Sequence, residues 1–189
     1  MTDRPDNIVL IGFASTGKTA VGKVLAAQLS RAFIDLDDRV EALHVADCGI
    51  QRRCRDIYSL LGRDCFVNFE TRALRDLLST RDAVIALGGG TPVAPENRAL
   101  ARQLGWTVYL RASAEAVFER MKIKGFPRYL GSNPSADTLV ALMAERGPIY
   151  EETADVTVDN TQLLPGEAAE AVRTALADRL PSTPATLPK

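Results

Sequence analysis

The sequence predicts an α/β layer fold built on a mainly parallel sheet, and two observations predict it. Short, continuous apolar runs recur along the chain, as strands buried on both faces require, and stretches with apolar residues at helical spacing separate them. The first run also stops at a glycine that leads straight into a helical pattern, the layout of a strand–loop–helix unit.

Taken in order, 7–11 (NIVLI) is a buried strand ending at Gly12, and from Thr19 the residues Val21, Val24, Leu25 and Leu29 mark a helix. Residues 32–36 read as a second strand, and Asp38 and Glu41 as the capping box of the next helix. Residues 44–56 have mixed character and receive no element. Phe66, Phe69, Ala73, Leu74, Leu77 and Leu78 form a helical stripe, and Glu70 within that helix is, as a charged residue, expected at the surface by default. Residues 83–87 (AVIAL) are another buried strand, ending at Gly88-Gly89-Gly90. A helix over 95–104, a strand over 106–110 and a helix over 113–122 follow. The Gly- and Pro-punctuated stretch 122–135 is long enough for a lid or binding loop. A helix over 136–150, a short strand over 155–158 and a last helix over 165–180 complete one domain spanning 1–180, before a polar tail, 181–189, expected to be disordered.

With 189 residues, 46% of them apolar, the chain fits one compact core. A net charge of -1 and the lack of a Lys/Arg block give no reason to expect nucleic acid or an anionic membrane as partner. Cys48, Cys54 and Cys65 are odd in number and lack metal-ligand spacing, so free thiols are expected. The polar start and the absence of a long apolar run predict a cytoplasmic protein, and a monomer is expected.

The sharpest motif is Gly12-Phe-Ala-Ser-Thr-Gly17-Lys18-Thr19, which matches G-x-x-x-x-G-K-[ST] between a strand and a helix. Its fixed positions would coincide by chance about once in a hundred chains of this length. Glycines let backbone amides turn inward around a phosphate, and the helix that follows presents its positive end. Gly12, Ser15, Thr16, Gly17, Lys18, Thr19 and Ala20 therefore make up a nucleotide phosphate site, a P-loop. Lys18 reaches the terminal phosphates, and the Thr19 hydroxyl can ligate Mg²⁺. The strand ending Phe33-Ile-Asp35-Leu-Asp37-Asp38 brings two acids to the same sheet edge, where spacing of two puts Asp35 and Asp37 on one strand face. One can support Mg²⁺ through water and the other can accept the proton of an attacking hydroxyl. Asp38 is read as an ordinary cap. Gly88, Gly89 and Gly90 in succession suggest a ligand lying on bare backbone. Arg120, Arg128 and Arg146 lie in or around the long loop, where guanidinium groups can neutralise a transferred phosphate or hold a carboxylate.

The ordered set GFASTGKT, FIDLDD, GR-x-x-F-x-x-x-E, VIALGGG and ERGPIYEETADVTVD resembles the shikimate kinase family over about residues 8–158. The resemblance implies ATP- and Mg²⁺-dependent transfer to the shikimate 3-hydroxyl on a three-layer P-loop fold. Its sheet would have five parallel strands in the order 2-3-1-4-5, with a lid at about 122–135 and a substrate-binding region at about 37–66. It further implies that Asp35 lies near Mg²⁺, and that Asp37 binds substrate hydroxyls and serves as base. Gly88, Gly89, Gly90 and Arg146 would be substrate-binding, Arg146 as a carboxylate-binding arginine, with Arg120 near adenine and Arg128 the lid arginine. This sequence departs from the family at Val67, where a carboxylate-holding arginine is usual, at Ser15, at Pro92, in the lid wording Pro127-Arg128-Tyr129-Leu130, and by a short insertion before Phe66. Arg52, Arg53, Arg55 and Arg63 are the candidates to replace the missing cation. Val67 keeps open a second acceptor class, another small polyol or hydroxy acid. A nucleotide-binding regulatory homologue without transfer activity is the third reading.

Overall fold

The computed structural model describes residues 5–127, 130 and 134–180. Its elements run β1 (Ile8–Ile11), α1 (Lys18–Leu29), β2 (Ala32–Asp35), α2 (Leu36–Cys48), α3 (Cys54–Asp76), β3 (Ala83–Ala86), α4 (Pro95–Leu104), β4 (Trp106–Arg111), α5 (Ala114–Lys124), α6 (Ala136–Thr153), β5 (Val156–Asp159) and α7 (Pro165–Ala175). The strands form one parallel sheet in the order β2-β3-β1-β4-β5, the order that the resemblance implies.

Strand alternation sorts the core into two layers. Val9 and Ile11 face α2–α6, while Ile8 and Leu10 face α1 and α7. All four are sealed from solvent, as expected for the central strand of a doubly covered parallel sheet. Asn7 falls just outside β1 rather than inside it. Its amide donates to the Thr80 and Leu104 carbonyls, and its side-chain oxygen accepts from the Ala83 amide, so it joins three connections below the sheet.

The helical ends differ from the sequence reading in instructive places. The cap of α2 is Asp35, whose carboxylate accepts from the Asp37 amide. The chain therefore turns helical at Leu36, and Asp37 sits in the first turn of α2 rather than on the strand beside Asp35. The box expected from Asp38 and Glu41 does not form, because the Glu41 carboxylate is taken by the Cys54 amide and Arg53. Residues 44–56 are mostly helical. α2 runs on to Cys48 and closes at the left-handed Gly49, and α3 starts at Cys54. Within α3, Gly62 breaks the helix with φ 77° and ψ 177°. α5 continues through Lys124, so the lid stretch begins at Gly125 rather than Lys122. α7 ends at Ala175, short of residue 180. The tail at 181–189 lies outside the described residues. Among the described residues no helix is long and apolar enough to cross a membrane. Cys48, Cys54 and Cys65 are free thiols.

Candidate active site

The loop from Gly12 to Gly17 leaves β1 at its carboxyl end and enters α1. Gly12 has φ 140° and Gly17 φ 100°, conformations that a side chain resists, and a β-carbon on Gly12 would lie 2.5 Å from the Leu110 carbonyl oxygen. Ser15, with φ 62°, occupies the left-handed region without being glycine. α1 begins with no side-chain cap, so its first amides stay available to an anion. Thr16 is pinned from three sides. Its hydroxyl donates to the Phe13 carbonyl at 2.9 Å, while its own carbonyl accepts from Asn160 at 2.6 Å and from Arg120 at 3.5 Å. Arg120 also donates to the Asn160 and Thr161 carbonyls. It thus braces the wall of the loop from α5.

Lys18 is buried and folds back to donate to the Gly12 and Phe13 carbonyls at 2.9 and 2.8 Å. Burial lowers its pKa to about 8, against the opposing pull of Asp37 and then Asp35. The Thr19 hydroxyl donates to the Asp35 carboxylate at 2.9 Å, so the two groups read as metal-associated stand together.

A cavity of about 520 Å³ opens beside this loop, walled by Ala14, Asp37, Glu70, the three glycines and Arg146, with α3 closing the far side. Each glycine has its own reason. A β-carbon on Gly88 would meet Thr91 Oγ1 at 2.9 Å and carboxylate oxygens of both Asp37 and Glu70 at 3.2 Å. One on Gly89 would lie 2.7 Å from the Ala14 backbone nitrogen, so the glycine tract rests directly on the P-loop. Gly90 faces open space. Tyr150 on α6 secures the tract by donating its hydroxyl to the Gly89 carbonyl at 2.5 Å. One turn earlier on α6, Arg146 lies over the Phe13 ring at 5.5 Å.

Asp37 and Glu70 flank the same bare α-carbon. The Asp37 pKa is pushed up to about 6, first by desolvation and then by Asp35, with Lys18 opposing. Asp37 keeps an open face, so water entering the cavity offsets part of that rise. Glu70 is buried, not exposed as its charge suggested, and shares the inward face of α3 with Phe66, Ala73 and Leu74. Burial raises its pKa to about 7, while the hydrogen bond from Thr91 opposes.

A cradle for phosphates and a cavity lined by glycines, carboxylates and arginines share one sheet edge, and the family model described as shikimate kinase matches residues 14–177. The chain belongs to the shikimate kinase family. A shikimate kinase of Geobacter sulfurreducens is 39% identical over 171 residues, covering 90% of this chain and 88% of that one. One from Bordetella pertussis is 39% identical over 153 residues, covering 80% and 69%. Among solved structures, a shikimate kinase from Acinetobacter baumannii in complex with shikimate superposes with a TM-score of 0.80 at 31% identity, covering 94% of this chain and 96% of its own. As a shikimate kinase family member, the chain is an ATP-dependent phosphotransferase acting on an alcohol.

The structure brings together Gly12 to Lys18, Asp37, Gly88, Gly89, Gly90 and Arg146 around one cavity and loop, with Thr19 and Asp35 at its edge. Ala20 follows in the first turn of α1. Arg128 lies outside the described residues. Glu70, Tyr150 and Asn160 went unassigned in the sequence, although each holds a part of the site. Of the four candidate replacement cations, Arg55 and Arg63 line the cavity, whereas Arg52 and Arg53 line a separate one.

Proposed function

We propose that this chain transfers the γ-phosphoryl of ATP to the 3-hydroxyl of shikimate, with Mg²⁺ as cofactor. The observation that carries the proposal is the backbone contact between Gly89 and Ala14. It sets the phosphate loop against the acceptor cavity at a separation that a single β-carbon would disrupt.

In this reading the amides of the P-loop and of the first turn of α1 hold the β and γ phosphates. Lys18 exchanges its carbonyl partners for phosphate oxygens, whose charge raises its pKa again and keeps it an ammonium. Asp37 accepts the hydrogen bond of the attacking hydroxyl and takes its proton, a role that the rise toward neutrality suits. Glu70 and the backbone of Gly88 to Gly90 orient the acceptor for in-line attack. Arg146, on the same wall, offsets negative charge near the glycines. Arg128 is assigned to the lid as the arginine that meets the transferred group.

For Mg²⁺, the Thr19 hydroxyl and the Asp35 carboxylate are a fitting donor pair. Both are hard oxygens, already in contact, and no group of three or more acidic, histidine or cysteine side chains builds a closed cage among the described residues. When bound, the ion held by Thr19 and Asp35 would supply positive charge that neutralises the phosphates and eases attack on the transferred group.

A coupled assay with shikimate and a panel of cyclic polyols tests the assignment. Saturable ATP consumption with shikimate is expected, with loss of turnover in Lys18→Met and Asp37→Asn. Turnover only with another polyol would replace the acceptor, a second reading that Val67 on the cavity wall favours.

A further inference from the structure

We propose that Arg63 is the specificity-determining cation of the acceptor cavity, holding the carboxylate of an acidic acceptor at the end away from Asp37. The inference deepens the shikimate reading and rests on it.

Arg63, Phe66, Val67 and Glu70 stand at i, i+3, i+4 and i+7 on α3, one helix face, and all four line the cavity. Glu70 marks the reacting end, since it flanks Gly88 together with Asp37. Arg63 lies about 10 Å further along that face at the helical rise per residue, a span that a small cyclic acid and an extended guanidinium side chain can bridge. Val67, one turn nearer to Glu70, offers no donor. The break at Gly62 restarts the helix immediately before Arg63. A β-carbon at Gly62 would touch nothing, so it is the positive φ and not crowding that calls for glycine there. The kink lets both halves of α3 contribute to one wall, Arg55 and Tyr58 before it and the Arg63 stripe after it.

The charge pattern gives Arg63 its task. Asp37, Glu70 and Glu145 on the cavity lining are matched by Arg55, Arg63 and Arg146, so what each arginine already faces decides which of them meets an anionic acceptor. Arg146 sits at the glycine end, over Phe13 and within the field of Glu70. Arg55 places its Nε 3.8 Å from Asp56. Arg63 pairs with no carboxylate among the described residues and is exposed at the cavity mouth, where a forked guanidinium can meet a carboxylate through two hydrogen bonds.

Steady-state kinetics with shikimate and with its carboxamide test this in wild type, Arg63→Ala, Arg63→Lys and Arg55→Ala. Arg63→Ala should raise the KM for shikimate about ten- to a hundredfold, with kcat little changed and the KM for the carboxamide unmoved. Arg63→Lys should recover part of the loss, and Arg55→Ala should keep the preference for acid over amide. An unchanged shikimate KM in Arg63→Ala, or an equal rise for acid and amide, would overturn the role of Arg63 while leaving shikimate turnover by wild type intact. Absence of wild-type turnover on shikimate would remove the acceptor reading itself, and this inference with it.

Discussion

Glu70→Gln should make the ligand-free protein more stable at pH 8 than the wild type while leaving it little changed at pH 5. Glu70 is 3% exposed, and its pKa rises from the ordinary 4.5 to about 7. A carboxyl whose pKa is raised on folding binds its proton more tightly in the native state. Its favourable contribution is therefore complete below 4.5 and is lost as pH rises toward about 7. At about 1.4 kcal/mol per pKa unit, the whole effect is of order 3 kcal/mol, most of it appearing between pH 5 and 8. Glutamine keeps the oxygen that accepts from Thr91 Oγ1 and removes the charge. Urea denaturation of both proteins across this range, with matching slopes, would measure the gap. It should widen by about 2–3 kcal/mol in favour of Glu70→Gln as pH rises. Parallel stability curves would refute the reasoning, since they would mean that Glu70 carries no burial penalty in the folded chain.

Four other outcomes follow from the site. The pH profile of kcat/KM should be bell-shaped, falling below about 6 as Asp37 protonates and above about 8 as Lys18 loses its proton; a flat profile from pH 5 to 9 would remove both assignments. Ser15→Gly should stabilise the protein by about 0.5–1 kcal/mol in thermal unfolding, because glycine relieves the left-handed φ of 62° at some cost in unfolded-state entropy. Gly89→Ala should lower kcat by about a hundredfold and raise the KM for ATP as well as for the acceptor, because its β-carbon forces the Ala14 backbone to move. Lys18→Met should lower kcat by about 10²–10³ while circular dichroism stays unchanged.

Much of the architecture was legible because it rests on strong local patterns. Residues 8–11 and 83–86 are uninterrupted apolar runs, and both are fully buried strands. The P-loop was legible because its glycines, lysine and threonine are demanded by backbone geometry. Residues 44–56 were opaque for a physical reason. Their helices are held by long-range polar contacts, Glu41 to the Cys54 amide and Arg72 to Asp47, and by His44 bonded to the Ile50 carbonyl, not by a clear apolar face. Asp37 was found by its proximity to Asp35, yet its helical setting depended on which acid caps α2. Glu70 was missed because its charge argues for the surface, although it stands four residues after Phe66 and three before Ala73 on the buried stripe of α3; its polar partner, Thr91, lies on a distant segment that the sequence does not bring near.

The seating of Gly89 on Ala14 means that donor and acceptor share a single datum surface. Loosening the glycine tract, for example by removing the Tyr150 hydroxyl that tethers it, cannot be confined to one ligand. A change made for the alcohol will register in how the nucleotide is gripped. New acceptor preferences are therefore more freely tuned from α3, whose residues Arg63, Phe66 and Val67 line the cavity on the side away from the seating of Gly89 on Ala14.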